Sequence, residues 1–532
     1  MRDIAVLLGD ATPDRTMLIE YLHRIQDRYG CISMGHMAAL AEQMRIATAE
    51  VFEVATFYHH FRVVDSEVPV DPIPVIRVCE SITCQLFDSE RLFCTLDAGA
   101  HQDFVVEKVP CVGRCAHAPV AVVERNPIHD ATPEKVLAAV KSETFDAQLP
   151  SCMDFTAYVQ KGGYELFKAC INGTVTRTDI INTLKDSRLR GLGGAGFPAG
   201  NKWEILRQQP SPRLLAVNID EGEPGTFKDR HYLEQDPHRF LEGMLIAAWV
   251  IESEEVYIYL RDEYAAARAM LERELSMLKT RARFPLPRIV LRRGAGAYVC
   301  GEESAMIESI EGKRGMPRLR PPYVAQVGLF GRPTLEHNME TLYWVRDIIE
   351  RGAAWFASQG RNGRSGVRSF SVSGRVRIPG VHLAPAGITL LELIDEFCGG
   401  MSEGHTLYGY FPGGASGGML PAAMGNIPLD FDTLNEFGCF IGSAAIIVFS
   451  QHDRARDLAA NAMRFFRDES CGQCTPCRVG TAKAAILMER EHWDAPLLQE
   501  LATTMSDASI CGLGQAAPNP LLCALRYFPN EF

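Results

Sequence analysis

The sequence predicts a multidomain α/β protein, and three observations carry that expectation. At 532 residues the chain is too long for one ordinary hydrophobic core. From Arg213 to Arg293 short β-rich runs alternate with longer helical ones. After Gln451 helical periodicity continues to the C-terminus around a cysteine cluster.

In chain order, Leu18, Tyr21, Leu22 and Ile25 recur at helical spacing, and Gly30 suits a helix end. Helical pattern runs on to about Phe61, and the segment SEVPVDPIP then breaks it. Three β-rich runs follow, Ile73 to Val78, Phe104 to Val109 and Pro119 to Val123, which make a small α/β unit closing near KSETFDAQLPSC. RLLAVN, VYIYL and RIVLRR read as strands separated by the helices PHRFLEGMLIAAWV and EYAAARAMLERELSML. This βαβαβ order predicts a parallel sheet whose ligands lie beyond the carboxyl ends of the strands, at VNIDEGEPGTF and GAGAYVCGEES. Between Val367 and Phe449, SFSVSGRVRI reads as a strand and LLELIDEF as a helix of a small α+β domain.

A net charge of −12 argues against a nucleic-acid or anionic-membrane surface, both of which would repel the chain. The longest apolar run, Gly438 to Ser450, is too short to cross a bilayer, and MRDIAVLLGDATPDR does not read as a secretory signal. The expected location is therefore the cytoplasm. Sixteen cysteines in a reducing compartment are expected as thiols, and clustered ones as metal ligands.

Cys471, Cys474 and Cys477 share one tight turn, with Cys511 arriving from a separate segment. That set suits a cubane, whose corners each take one ligand, with structural zinc as the rival. Cys79 with Cys84 and Cys111 with Cys115 form two short pairs, each just after an inferred strand. They suit a binuclear cluster with one pair per iron, and zinc competes more closely here. His117 reads as a loop histidine, since four cysteines already complete the site.

Gly191, Gly193, Gly194 and Gly196 include a GxGxxG pattern that lets backbone approach a phosphate, with Lys202 near enough to add positive charge. The helical segment before it argues against a standard dinucleotide-fold start, which follows a strand. Asn218, Asp220, Glu221 and Glu223 stand at a predicted strand end, either to accept bonds from ribose or ribityl hydroxyls or as a solvated acidic turn. Glu302 and Glu303 follow a second glycine-rich loop at a helix start, where the dipole favours acids in any case. A nicotinamide gives two electrons as hydride while a cluster accepts one at a time, so a flavin is expected between them.

GLGGAGFPAGNKW, NIDEGEPGTFKDR, GAGAYVCGEES, PRLRPPYVAQVGLFGRPTLEHNMETL and ESCGQCTPC with SICGLGQA resemble the NADH-binding flavoprotein subunit of respiratory complex I. AEVFEVATFYHHF with the first two cysteine pairs resembles that complex's thioredoxin-like [2Fe–2S] subunit. Both modules in one chain, with GGASGGMLPAAM and the ending RYFPNEF, most resemble the beta subunits of metal-dependent NAD-linked formate dehydrogenases. The diaphorase subunits of NAD-reducing hydrogenases come next.

The resemblance implies an N-terminal helical region (1–65), a thioredoxin-like [2Fe–2S] domain (66–145) and a Rossmann-like FMN- and NAD(H)-binding domain (155–362). A ubiquitin-like domain (363–452) and a helical [4Fe–4S] bundle (453–532) complete it. It places FMN on Gly191 to Gly196 with Lys202, Asn218, Asp220, Glu221, Gly301, Glu302, Glu303 and Asn338 around it. NADH is placed against Phe197, Glu223, Tyr298, Glu303, Arg320 and Tyr323, with Glu223 and Glu303 as the carboxylates of the hydride step. The implied partner is a catalytic alpha subunit carrying molybdenum or tungsten and further iron–sulfur clusters. Three positions depart from the pattern: Leu192 replaces an arginine, His337 the first asparagine of a pair, and Ile205 an aromatic.

Overall fold

The computed structural model describes residues 2–9, 13–65, 73–99 and 103–532. Most of the breaker segment at 66–74, with the inferred domain boundary in it, lies outside the described residues.

The first helical pattern forms Leu18–Tyr29, and Gly30 ends it in the left-handed conformation (φ 72°), which a residue without Cβ adopts at no steric cost. The continuation divides into Met34–Met44 and Thr48–Ala55. Next comes a four-stranded sheet in the order Val105–Val109, Val75–Cys79, Ala121–Val123, Asn126–Ile128. Its first pair is parallel and the others antiparallel, as a thioredoxin-like unit requires. The last strand went unseen in the sequence because a three-residue run containing Pro127 carries no period of its own.

The central sheet is wholly parallel, in the order Thr334–Asn338, Arg213–Ile219, Ser253–Leu260, Arg288–Arg293. Arg213–Ile219 is buried along its whole length, which explains its unbroken apolar reading. Helices Pro237–Ile251 and Ala265–Arg281 are the two crossovers expected between strands. Thr334–Asn338 extends the expected three strands to four. Its sequence, TLEHN, is too polar to read as a strand, yet all but Asn338 are buried.

The third sheet runs Gly380–Pro385, Val367–Gly374, Ala445–Ser450, Leu407–Phe411, Leu420–Pro421, with a parallel central pair and helix Leu390–Phe397. The strand expected to reach Ile378 ends at Gly374, whose positive φ of 91° turns the chain out of the sheet. Helices Ala455–Asp468, Thr475–Met488, Ala495–Ala508 and Asn519–Tyr527 form the C-terminal bundle. One continuous apolar core joins Leu22 of the N-terminal helices, Ile307 of the central domain, Ile447 of the third sheet and Phe466 of the bundle. The modules are therefore packed together rather than strung on linkers. Among the described residues no helix is long and apolar enough to cross a membrane.

Candidate functional site

The carboxyl ends of the parallel strands open into a cavity of about 840 Å³. Arg213–Ile219 delivers Asn218 and the acidic loop after it, Arg288–Arg293 leads to the turn Tyr298–Gly301, and Thr334–Asn338 ends on His337 and Asn338. The glycine loop lies between helices Arg177–Asp186 and Ala199–Arg207 and forms another wall. All the flavin and nicotinamide residues expected from sequence line this one cavity: Gly191, Gly193, Gly194, Gly196, Phe197, Lys202, Asn218, Asp220, Glu221, Glu223, Tyr298, Gly301, Glu302, Glu303, Arg320, Tyr323 and Asn338.

Two of the loop glycines have no room for a side chain. A Cβ on Gly193 would stand 2.9 Å from the Asn338 Cβ, and one on Gly196, at φ +66°, would stand 2.6 Å from the Phe431 ring. Leu192 is turned away: its side chain is buried in the domain core and its N–H donates to Thr341 Oγ1 at 2.8 Å. An arginine at that position would meet apolar packing. His337 is buried, and its Nε2 accepts the Trp203 indole N–H at 2.7 Å. Because an indole only donates, the imidazole proton sits on Nδ1. Phe197, Ile205 and Tyr323 stand exposed on the cavity lining, at 47%, 41% and 55%.

The acids are not equivalent. Glu223 accepts from Tyr298 Oη at 2.5 Å, from the Ser416 N–H at 2.7 Å and from Ser416 Oγ at 2.9 Å. Burial pushes its carboxyl up to about 7, against the opposing pull of those three donors. Burial raises Glu221 likewise to about 7, but its oxygens accept from the backbone N–H groups of Asp229 and Arg230 and from Tyr264 Oη. They cap helix Lys228–Gln235, so Glu221, though part of the cavity wall, holds the loop in place. Asp220 is the reverse case: Oδ2 is buried with no hydrogen-bond partner among the described residues, and burial holds its carboxyl well above the usual range. An unmet buried acceptor beside a glycine cradle suits a hydroxyl-bearing ligand.

Glu302 caps helix Glu303–Ile310 through the N–H groups of Ser304 and Ala305. Arg320 bridges Glu302 and Glu303 at 2.7 and 3.0 Å, and Lys202 lies 3.4 Å from Glu336 and 3.8 Å from Glu303. Asn218 donates to Gly301 O and to Glu336, which joins two strand ends. Sequence reading passed over Lys228, Glu336 and Ser416, all of which line the cavity. Lys228 is fully buried; burial opposes its charge, but Asp229 and Glu340 keep it protonated. Its place inside NIDEGEPGTFKDR was the available signal.

The two cysteine sets flank the cavity. Cys111 and Cys115 Sγ are 3.3 Å apart, and the Cys79 thiol interacts with both Cys84 and Cys111. Among the described residues no three cysteine thiols lie within 4.8 Å of one another. Cys111 and Cys115 pack on Phe227, between the cavity residues Thr226 and Lys228. On the other side Cys474 is the N-cap of helix Thr475–Met488, and Cys471, Cys474 and Cys511 all act electrostatically on Cys477. Burial pushes the Cys477 and Cys511 thiols up to about 12 and 11, so bound metal must hold them as thiolates. Cys511 immediately precedes Gly512 and Leu513, which line the flavin-type cavity.

A parallel sheet with a glycine-cradled cavity between two tetracysteine sets defines a flavin-binding iron–sulfur oxidoreductase component. Three family descriptions match the chain: thioredoxin-like [2Fe–2S] ferredoxin over residues 6–143, the Nuo51 FMN-binding domain over 184–347, and the NADH-ubiquinone oxidoreductase-F iron–sulfur binding region over 457–532. An F-type subunit of the NADH-quinone oxidoreductase of Rhizobium meliloti is 38% identical over 392 residues, covering 71% of this chain and 93% of that protein. Its counterpart in the NADH-quinone oxidoreductase of Aquifex aeolicus is 38% identical over 401 residues, 73% and 92% of the respective chains. Over 97% of its length the chain also superposes on a chain of an NAD+-reducing [NiFe]-hydrogenase in the H2-reduced state, at TM-score 0.86 and 30% identity, covering 93% of that chain. The chain belongs to the family of the F-type subunits of NADH-quinone oxidoreductase, with a thioredoxin-like [2Fe–2S] module fused in front. It is an NAD-dependent flavin and iron–sulfur oxidoreductase component with FMN, [2Fe–2S] and [4Fe–4S] domains.

Proposed function

We propose that this chain is the NAD(H)-exchanging diaphorase subunit of a soluble, cytoplasmic NAD-linked formate dehydrogenase. The observation that carries the diaphorase reading is the single cavity bounded by the glycine cradle, by Glu223 and by the segments that bear Cys111 and Cys511. Bound FMN would supply the interchange between a two-electron hydride and single electrons. In this reading Gly191, Gly193, Gly194 and Gly196 hold the flavin phosphate end, and Lys202 and Lys228 add positive charge. Asp220 accepts from a ribityl hydroxyl, while Asn218 and Asn338 brace the strand ends. Phe197 and Tyr323 flank the nicotinamide nucleotide, Arg320 positions Glu303, and Glu223 with Tyr298 sets the charge beside the hydride position. Cys79, Cys84, Cys111 and Cys115 ligate the [2Fe–2S] cluster, and Cys471, Cys474, Cys477 and Cys511 the [4Fe–4S] cluster.

Formate as the electron source rests on the resemblance of the whole chain, including GGASGGMLPAAM and RYFPNEF, to formate dehydrogenase beta subunits. The partner in that reading is an alpha subunit with molybdenum or tungsten and further clusters. The likeness to a chain of an NAD+-reducing [NiFe]-hydrogenase over 97% of this chain favours a second reading, in which the partner is a nickel subunit. Metal analysis of the assembly copurified with this chain separates them. Molybdenum or tungsten supports formate, and nickel without either supports hydrogen and overturns the formate assignment.

A further inference from the structure

Away from both cluster sets, two thiols from different modules touch. Cys439 follows the turn Asn435–Phe437 of the third-sheet domain, and Cys523 lies on helix Asn519–Tyr527 of the bundle. Their Sγ atoms are 3.6 Å apart, and the two residues are 2% and 3% exposed.

The contact is held from several sides. The Tyr527 hydroxyl donates to Phe437 O at 2.9 Å, which ties the turn to the helix beside the thiols. Gly418 closes the space behind them: a Cβ there would stand 2.8 Å from Cys439 Sγ and 3.0 Å from Cys523 Sγ. On the outer side Gly438 is exposed while its carbonyl oxygen lies 3.7 Å from Cys523 Sγ, so a single turn of backbone separates the pair from solvent. The hydrogen bond from Cys439 and the charge of Arg526 lower the Cys523 thiol against the effect of burial, which marks Cys523 as the sulfur that reacts first.

We propose that Cys439 and Cys523 are a redox modification site, which hydrogen peroxide converts into a disulfide joining the third-sheet domain to the C-terminal bundle. The Cys523 thiolate attacks one peroxide oxygen, the O–O bond breaks, and water leaves a sulfenic acid behind. Cys439 Sγ then attacks that sulfur and expels its hydroxyl as a second water. Two thiols and one peroxide thus give one disulfide and two waters, the sulfurs losing the two electrons that the peroxide gains. The bond forms directly behind Ser416. Asn519, on the helix of Cys523, donates to Ser416 O at 2.9 Å, and the N–H of Phe440, next to Cys439, donates to Gly417 O at 3.1 Å. Both cysteine segments therefore hold the loop that presents Ser416 to Glu223.

The test treats the cluster-replete chain with a small excess of hydrogen peroxide and quenches it in acid, which stops thiols from exchanging. Free thiols are then blocked with N-ethylmaleimide in denaturant, and the peptides are read by mass spectrometry. A peptide pair joined through Cys439 and Cys523, absent from the dithiothreitol-reduced chain and released again by dithiothreitol, is expected. Cys523→Ala should abolish that pair and return Cys439 blocked, while the electron paramagnetic resonance signals of both clusters persist as a folding control. Recovery of both cysteines as blocked thiols after peroxide, their oxidation without a link, or links only to cluster cysteines overturns the proposal. If the variant fails to fold, the wild-type peptide map decides alone.

Discussion

The Tyr298 hydroxyl donates to Glu223 Oε2 while Ser416, nearly two hundred residues further on, donates twice to Oε1. The carboxylate is thereby aimed by the central domain and by the third sheet at once. Desolvation of the carboxyl raises it to about 7, which puts its change of charge near neutral pH.

Glu223→Gln should retain FMN but slow flavin reduction by NADH about 10- to 100-fold, the scale of a small misplacement at the reacting atoms. Stopped-flow reduction at several NADH concentrations checks this. A wild-type rate with a wild-type concentration dependence refutes the role.

The same carboxyl makes nucleotide binding depend on pH. The folded value of about 7 lies above the ordinary 4.5, so Glu223 opposes folding when ionised above pH 7 and is relieved as pH falls from 7 towards 4.5. An oxidised nicotinamide ring is cationic and a reduced one neutral, so the ionised carboxylate favours NAD+. Inhibition by NAD+ should therefore weaken as pH drops through about 7, and Glu223→Gln should remove that step. Tyr298→Phe deletes a donor to the charged form and should move the midpoint upward.

Gly193→Ala should lower FMN retention, because its Cβ meets the Asn338 Cβ at 2.9 Å. Overpacking of about 1–3 kcal/mol corresponds to roughly 5- to 150-fold weaker binding. Flavin content after dialysis, read against Gly99→Ala, whose Cβ meets nothing closer than 3.5 Å, is the check.

Cys474→Ser should abolish the [4Fe–4S] signal while FMN stays bound, since the glycine loop and the helix that Cys474 caps belong to different modules. Unchanged iron content and an unchanged low-temperature spectrum would remove Cys474 from the ligand set. The isolated chain should also reduce an artificial acceptor with NADH yet leave formate untouched, and formate oxidation by the pure chain would contradict the proposed division of labour.

What the sequence made legible is what is local. Cys471, Cys474 and Cys477 lie within one turn, and Gly191 to Gly196 within one loop, so their spacing is itself the geometry. Arg213–Ile219 was equally direct, because burial on both faces leaves an apolar run. Ser416 could not be seen as the partner of Glu223, since only the folded third sheet brings it there. Glu221 reads like Glu223 in NIDEGEP, but the N-terminus of helix Lys228–Gln235 claims its oxygens. Thr334–Asn338 was hidden by the same polar residues that make it useful, Glu336 and Asn338.

Arg261 is fully buried in the seam between modules, where its guanidinium donates to Cys111 O at 2.7 Å and also to Glu221 O. One planar cation thus grips the carbonyl of a cysteine in the first cluster set and the carbonyl of the acidic loop at the cavity. That double grip ties the first cluster's segment to the acidic loop. An electron crossing it would travel a fixed path through packed atoms rather than wait for a domain to diffuse into range, so its rate should not change with the viscosity of the solvent.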